Sequence, residues 1–487
     1  MMKILSSNSM KYCDKQTMID NNVNEIDLVK RAALACFNLI RDDILYDYKV
    51  LVVCGNSNNS ADGFRLAKIL KDDKVSVDVS FVGNLKKMNE TCSYFYKEFE
   101  KRHLDSLYGR NADYKKYDVI IDAIIGVGLK GELREDIVEV VNKINDTDAI
   151  KIAIDIPTGL NSDTGTYKPV CVKADYTAAI NNIKYGHLLA DGPDVCGEIA
   201  IADIGLNSYN VECIKLIDEV YLGKHPKRAA NCNKYDFGSV LVIGSNISMT
   251  GAGIMASLSA LRSGAGLLSL ACPKDNYEIV SKRAPLEVMV RHLDEDLDLL
   301  LNKKTTVVFG PGLGRDEKYL SILERMLKKD INLIVDADGL HLLSKIDNLK
   351  NIKKCRLVIT PHTGEAAVLL NKKSVEVKED VYTSLRELVK KYDCIAVLKG
   401  HNTLIGDVNE TYISVTGNSG MATAGSGDVL AGMIAGFALK EIDLKKVCKA
   451  VYLHGLAGDI AESKRNEDSL IATDIIENIG EAIRTLY

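Results

Sequence analysis

The stretch KVLVVCGNSNNSADGFRLAKIL (49–70) joins an unbroken apolar run to a small-residue turn and then to a helical pattern. A run such as KVLVVCG (49–55), apolar at consecutive rather than alternate positions, suits a parallel strand covered by helices on both faces. The helical period takes over around 60–72. The same succession recurs in VSVDVSFVG (75–83), YDVIIDAIIG (117–126) and AIKIAIDIP (149–157), with helical patterns around 88–104 and 134–145. GSVLVIGS (238–245), TTVVFGPG (305–312), NLIVDADG (332–339), RLVITPH (356–362) and DCIAVLKG (393–400) repeat the style. Each half is therefore expected to be an α/β doubly wound sheet. From about 206 to 236 the chain reads as polar and irregular, which places the boundary near 218 and the two domains at 1–217 and 218–487.

Composition agrees with two soluble domains. The 487 residues are too many for one ordinary domain, and a net charge of −5 gives no basic face for nucleic acid. No uninterrupted apolar stretch reaches the roughly 18 residues of a membrane span, and MMKILSSNSMKYCDK (1–15) has no apolar signal core. The 12 cysteines are scattered without a CxxC pair, as buried thiols in a reducing cytoplasm would be.

Ligands of doubly wound sheets collect beyond the carboxyl ends of the strands, and the unusual residues of this chain stand at such positions. In the first half these are the turn GNSNNSADG (55–63), with Asp62-Gly63 read as opening a helix, then Asp122, GVGLKGELRE (126–135) and DIPTG (155–159). The spacing is not GxGxxG, so the standard dinucleotide fingerprint is absent. Asn59, Asp122 and Thr158 offer one carboxylate and neutral oxygens from three strand ends, a set suited to a monovalent cation.

In the second half, TPHTGEAAVLL (360–370) sets His362 and Glu365 at a loop-to-helix turn, LKGHNTLIG (398–406) sets Lys399 and Gly400 at a strand end, and GNSGMATAGSGDVLAG (417–432) runs a Gly-Ser-Gly turn into Asp428. Such a turn cradles an anion. The aspartate beside it is either an N-cap or a general base, and capping alone does not require glycine on both sides. The glycines of SNISMTGAGIMASLSALRSGAG (245–266) are expected to serve close packing of a helix on the sheet. His401 and His454 show no metal spacing and read as structural or surface residues.

The combination NNxxDG, DAxxGxGLxG and DIPTGL resembles the epimerase half of the bifunctional NAD(P)H-hydrate repair enzymes. FGPGLG (309–314), DADGL (336–340), HTGE (362–365) and AGSGD (424–428) resemble the dehydratase half, a branch of the ribokinase-like fold. Between them the resemblances cover nearly the whole chain. They imply that the first domain interconverts the R and S epimers of hydrated NADH or NADPH. The second would dehydrate the S hydrate with ADP as phosphoryl donor and Mg2+, giving NAD(P)H, AMP and phosphate. By position, Asn58, Asn59, Ser60, Ala61 and Asp62, with Gly126, Val127, Gly128, Leu129, Lys130, Gly131 and Glu132, would contact the hydrate in the first domain. Asp155 would touch the reacting ring, and Asn59, Asp122 and Thr158 would hold K+. In the second, Ala252, Gly312, His362 and Asp428 would meet the hydrate, with Asp428 as base. Lys399, Gly400, His401, Asn402 and Thr403, with Gly425, Ser426 and Gly427, would bind ADP. The family has Gly-Gly where this chain has Ser60-Ala61, so the added side chains are expected to narrow that loop. The other partners expected are small molecules only, with no nucleic acid and no membrane, in a cytoplasmic homo-oligomer. The same aspartate and anion hole would also serve a small-molecule kinase, and a first half without catalysis would be a binding module.

Overall fold

A computed structural model describes residues 1–41, 48–129, 131–347, 349–438 and 441–487. The chain forms two compact units, one of Lys3–Ile214 and one of Lys215–Tyr487 with Met1–Met2.

In the first unit seven strands hydrogen-bond in the order Leu107–Tyr108, Ser76–Phe81, Lys49–Cys54, Val119–Ala123, Ile150–Ile154, Tyr176–Ile180, Glu198–Ala202. All of these pairings are parallel. The chain therefore winds outward from Lys49–Cys54 in one direction and then returns to wind the other way from Val119–Ala123. The crevice between those two strands is the switch point at which such sheets bind ligands. Their side chains explain their place: Val50, Val52, Ile120 and Ile121 are fully buried, as central strands covered on both faces require. Helices Asn58–Asp72, Glu90–His103 and Glu135–Asn145 lie where the helical pattern placed them. The first begins earlier than expected, so Asp62 stands in its second turn and does not open it.

The sheet of the second unit includes, in order, Thr411–Ser414, Thr403–Gly406, Ile395–Leu398, Arg356–Ile359, Asn332–Val335, Thr306–Phe309, Ser239–Ile243, Leu267–Cys272 and Val288–His292. It is parallel from Ile395–Leu398 to Val288–His292 and antiparallel across the first three strands. The stretch 206–236 is less irregular than its composition suggests, for it holds the strand Cys213–Leu216 and the short helix Glu219–Leu222. Helix Thr250–Arg262 lies against helix Ser426–Ala438, and their small residues make the approach possible. A Cβ on Gly432 would come within 2.1 Å of the Ala256 carbonyl oxygen, and one on Gly436 within 2.6 Å of that of Ala260. Within 245–266, Gly253 meets the expectation of helix–sheet packing, for a Cβ there would lie 2.9 Å from Leu270 Cδ1 of strand Leu267–Cys272.

Candidate active sites

Just beyond the switch point of the first unit lies a cavity of about 360 Å³. Asn58, Asn59 and Asp62 reach it from the first two turns of helix Asn58–Asp72, Gly126, Val127 and Gly128 from the turn after Val119–Ala123, and Asp155 from the end of Ile150–Ile154. Two residues that the sequence did not single out, Asp14 and Glu25, complete its wall from the first two helices, and Lys184 closes it from the loop after Tyr176–Ile180. Asp155 is 7% exposed and stands in left-handed backbone at φ 68°. Its carboxylate pairs with the Lys184 ammonium, and its carbonyl oxygen is 2.8 Å from His187 Nε2. Burial, and to a smaller degree the nearby Lys184 charge, pull His187 down to about 4, so the ring is neutral. Asp62 is pushed well above the ordinary carboxylate range by burial and then by the charges of Asp155 and Asp14. Asp14 is raised to about 6, again by burial first, with Lys184 opposing the rise and Asp155 and Glu25 adding to it. Both carboxyls therefore take up a proton more readily than an ordinary aspartate does.

Asp122 and Thr158 come together as expected. Asp122 Oδ1 accepts the Thr158 hydroxyl at 2.7 Å and the Ile124 N–H at 3.2 Å, while Oδ2 accepts the Thr158 N–H at 2.7 Å. Burial raises Asp122 to about 6 against those bonds. Asn59 is 6% exposed, and neither polar atom of its side chain has a partner. Buried polar atoms without partners are costly, so an orphaned amide here marks a place for a ligand.

Ser60 and Ala61 do not reach the cavity. Both are fully buried, and the Ser60 hydroxyl accepts the Gly55 N–H at 2.7 Å and donates to the Ala123 carbonyl at 2.8 Å. These side chains turn into the fold, so the expected narrowing of the ligand loop does not occur. Leu129, Gly131 and Glu132 are not part of the cavity wall, and Lys130 lies outside the described residues.

In the second unit two cavities, of about 590 Å³ and about 720 Å³, share a wall made of Ala337, Gly425 and Asp428. The first holds Ala252 and Gly312, with Arg283 and Arg315 on its side. The second holds Lys399, Gly400, His401, Thr403, Ser426 and Gly427; Asn402 is not part of its wall. Asp428 is the third residue of helix Ser426–Ala438 and so cannot be its N-cap. Its carboxyl is raised to about 7, by burial first and then by Asp336, with Lys399 pulling the other way. Lys399 Nζ lies 2.9 Å from Asp336 Oδ1 and 3.8 Å from Glu365 Oε2. Burial alone would lower this lysine, but Asp336 and Glu365 outweigh it and hold the amine above its ordinary value. A side-chain carbon on Gly427 would lie 3.2 Å from Lys399 Nζ, so the missing side chain brings the ammonium beside the first turn of the helix. The N–H groups of that turn have no intrahelical acceptors. Cation and amides together make an anion site next to Asp428.

His362 and Lys399 stand side by side because the strands Arg356–Ile359 and Ile395–Leu398 run on together past their ends, the Lys399 N–H donating to the Pro361 carbonyl at 2.8 Å. His362 Nδ1 caps helix Thr363–Leu370, accepting the N–H groups of Gly364 and Glu365 at 3.0 and 3.3 Å. Its exposed ring faces the 720 Å³ cavity and a smaller one of about 240 Å³, not the cavity of Ala252 and Gly312. His454 is more than a packing residue: it lines the larger cavity, and its Nε2–H donates to the Ser426 carbonyl at 3.0 Å. Among the described residues no group of three or more His, Cys, Asp or Glu is placed to hold a metal.

Two family models match the chain. Residues 25–186 match that of the YjeF-related protein N-terminus, and residues 240–481 that of NAD(P)H-hydrate dehydratase. The chain is 32% identical over 470 residues to the bifunctional NAD(P)H-hydrate repair enzyme of Coxiella burnetii, covering 95% of each chain. It is 30% identical over 465 residues to the enzyme of that description from Escherichia coli, covering 94% of this chain and 89% of the other. Among solved structures, a ribokinase-like superfamily protein from Enterococcus faecalis matches 58% of this chain and 99% of its own at 29% identity and TM-score 0.51. An ADP/ATP-dependent NAD(P)H-hydrate dehydratase from Bacillus subtilis shares the fold at 24% identity and TM-score 0.51, over 56% of this chain and 99% of its own.

Proposed function

This chain belongs to the bifunctional NAD(P)H-hydrate repair enzymes, and from that premise we propose which of its residues carry the two reactions. The observation that carries the reading is Asp428, whose carboxylate stands in the wall common to two cavities. The cavity of Ala252 and Gly312 receives the hydrated ring of the S epimer, and the cavity of Lys399, Gly400, His401, Thr403, Ser426 and Gly427 receives ADP. Asp428 takes the proton of the ring hydroxyl. The hydroxyl oxygen forms a bond to the terminal phosphorus of ADP as the bond from that phosphorus to AMP breaks. Lys399 and the amides of Ser426 and Gly427 balance the charge on the transferring oxygens. Hydroxide is a poor leaving group and phosphate a good one. The ring C–O bond then breaks, a proton leaves the neighbouring ring carbon, and the double bond of NAD(P)H returns. Mg2+ fits as a companion of the ADP phosphates, since it favours one or two carboxylates and water over a protein cage; Asp336, Asp338 and Glu365 are the carboxylates near Asp428.

Asp155 works in the first unit on the hydroxylated carbon, with Asn58, Asn59, Asp62, Gly126, Val127 and Gly128 around the ring and its phosphates. The unpartnered amide of Asn59 and the contact of Asp122 with Thr158 fit a K+ ion. When bound, such an ion would fix the three strand-end turns against one another. A cytoplasmic setting agrees with the free cysteines and with the lack, among the described residues, of any helix able to cross a membrane. A homo-oligomer rests on the resemblance alone, and sedimentation at several concentrations tests it. The assay for the chemistry supplies hydrated NADH with ADP or with ATP and measures nicotinamide absorbance, AMP and phosphate. A stable phosphorylated product in place of restored NADH would make the second unit a kinase.

A further inference from the structure

Lys184 is among the largest fully buried side chains of the described residues, 1% exposed, and it belongs to the wall of the cavity in the first unit. It meets Asp155 Oδ1 and donates to the Ile180 carbonyl at 2.8 Å. Both partners are fixed from behind by one neutral ring, for His187 Nδ1 accepts the Lys184 backbone N–H at 3.0 Å while Nε2 holds the Asp155 carbonyl at 2.8 Å. Asp155 Oδ2 is turned to the ligand loop, 3.1 Å from where a Cβ on Gly126 would stand. A buried ion pair is a weak way to stabilise a core, since apolar residues of like volume do as well or better. A pair held this firmly, with both members in a cavity wall, is built for use.

We infer that Lys184 is the acid that completes Asp155 in the epimerase reaction, an inference that rests on reading this cavity as the epimerase site. The hydroxylated carbon bears its oxygen and the ring nitrogen on one atom, so a base and an acid in mutual contact match it. Asp155 takes the hydroxyl proton, the O–H electron pair becomes the second bond of a carbonyl, and the ring C–N bond breaks. The nitrogen keeps that electron pair and receives a proton from Lys184. The nitrogen is a good leaving group because its lone pair is conjugated, through the ring double bond, with the carboxamide. That same conjugation weakens its push toward expelling hydroxide. Rotation of the aldehyde presents its other face, and the steps run backward to close the opposite epimer, returning both protons. No co-reactant is consumed.

The test uses the full chain and purified R hydrate, with epimerase and dehydratase rates measured separately. Lys184→Arg, Lys184→Met and Asp155→Asn should each lower epimerase kcat by about a hundredfold or more, with KM little changed. Dehydration of S hydrate should stay within about twofold, and an unchanged thermal unfolding profile of the full chain reports that the first unit is folded. Arginine keeps the positive charge against Asp155 but does not release a proton at neutral pH. A Lys184→Arg protein within tenfold of wild type would therefore reduce Lys184 to a brace and overturn the inference. An active Asp155→Asn protein would instead overturn the reading of the cavity itself. Wild-type protein in ¹⁸O-water gives a test that needs no variant. Ring opening keeps the original oxygen in the inverted epimer in a single turnover, whereas one ¹⁸O per inversion would show C–O cleavage and contradict the step.

Discussion

Asp428 occupies a place where its charge is disfavoured, half-buried and beside Asp336, with Lys399 as the compensating cation. That is how a protein brings a carboxylate to useful basicity near neutral pH. A base must be deprotonated to act, and its carboxyl titrates at about 7. The dehydration kcat/KM should therefore rise as pH increases through about 7 and level off above it, which a pH–rate profile checks. The linked effect on stability has the opposite sense. The folded chain holds this proton more tightly than the unfolded one, so the stability it lends is full below the ordinary aspartate range and lost as pH rises through about 7. Asp428→Asn should keep ADP binding, read by calorimetry, and lower kcat by about 10²–10⁴-fold, as loss of a general base does. Activity within tenfold of wild type would sink the assignment. Gly425 stands at φ 94°, and a Cβ there would lie 2.6 Å from Met255 Sδ. Gly425→Ala should cost about 1–3 kcal/mol from strained backbone and crowding, read as a lower thermal midpoint, and should weaken ADP binding.

At the scale of elements, the runs of consecutive apolar residues were sufficient to place the central strands, because burial on both faces leaves little choice of residue. Strands such as Leu267–Cys272 and Val288–His292 gave weaker signals: Ser269 interrupts the first, while the second ends in Arg291-His292 at the sheet edge. Strand-end turns showed themselves through Asn, Gly and Asp, which is why Asn59, Asp122, Asp155, Lys399 and Asp428 were legible. Residues such as Asp14, Glu25 and Lys184 were not. They belong to segments of ordinary polar composition, and only the folding of those segments over the sheet brings them to the cavity. The direction of a side chain was equally hidden, as Ser60 shows. Because its hydroxyl accepts the Gly55 N–H and donates to the Ala123 and Ile124 carbonyls within the fold, Ser60→Gly should lower stability by about 1–3 kcal/mol without raising epimerase activity. Calorimetry of the full chain and an epimerase assay check this, and a clear gain in activity would mean that the serine does obstruct the ligand. Asp122→Ala should reduce epimerase activity and spare dehydration, and exchange of K+ for tetramethylammonium should reproduce part of that loss. Indifference to both changes would remove the cation from the site.

For the whole molecule, the residues proposed for the two chemistries lie in different units, Lys3–Ile214 and Lys215–Tyr487, so the two should be separable by substitution. The central claim is that one unit supplies the epimer which the other consumes. Progress curves of nicotinamide absorbance test it most directly, using an equal mixture of R and S hydrates with excess ADP and comparing wild type, Asp155→Asn and Asp428→Asn. Wild type should restore the whole mixture in one rapid course. Asp155→Asn should restore the S half at the wild-type rate and then slow to the spontaneous conversion of R, while Asp428→Asn should restore almost nothing and still equilibrate the epimers. Rapid restoration of both halves by the Asp155→Asn protein would contradict the account.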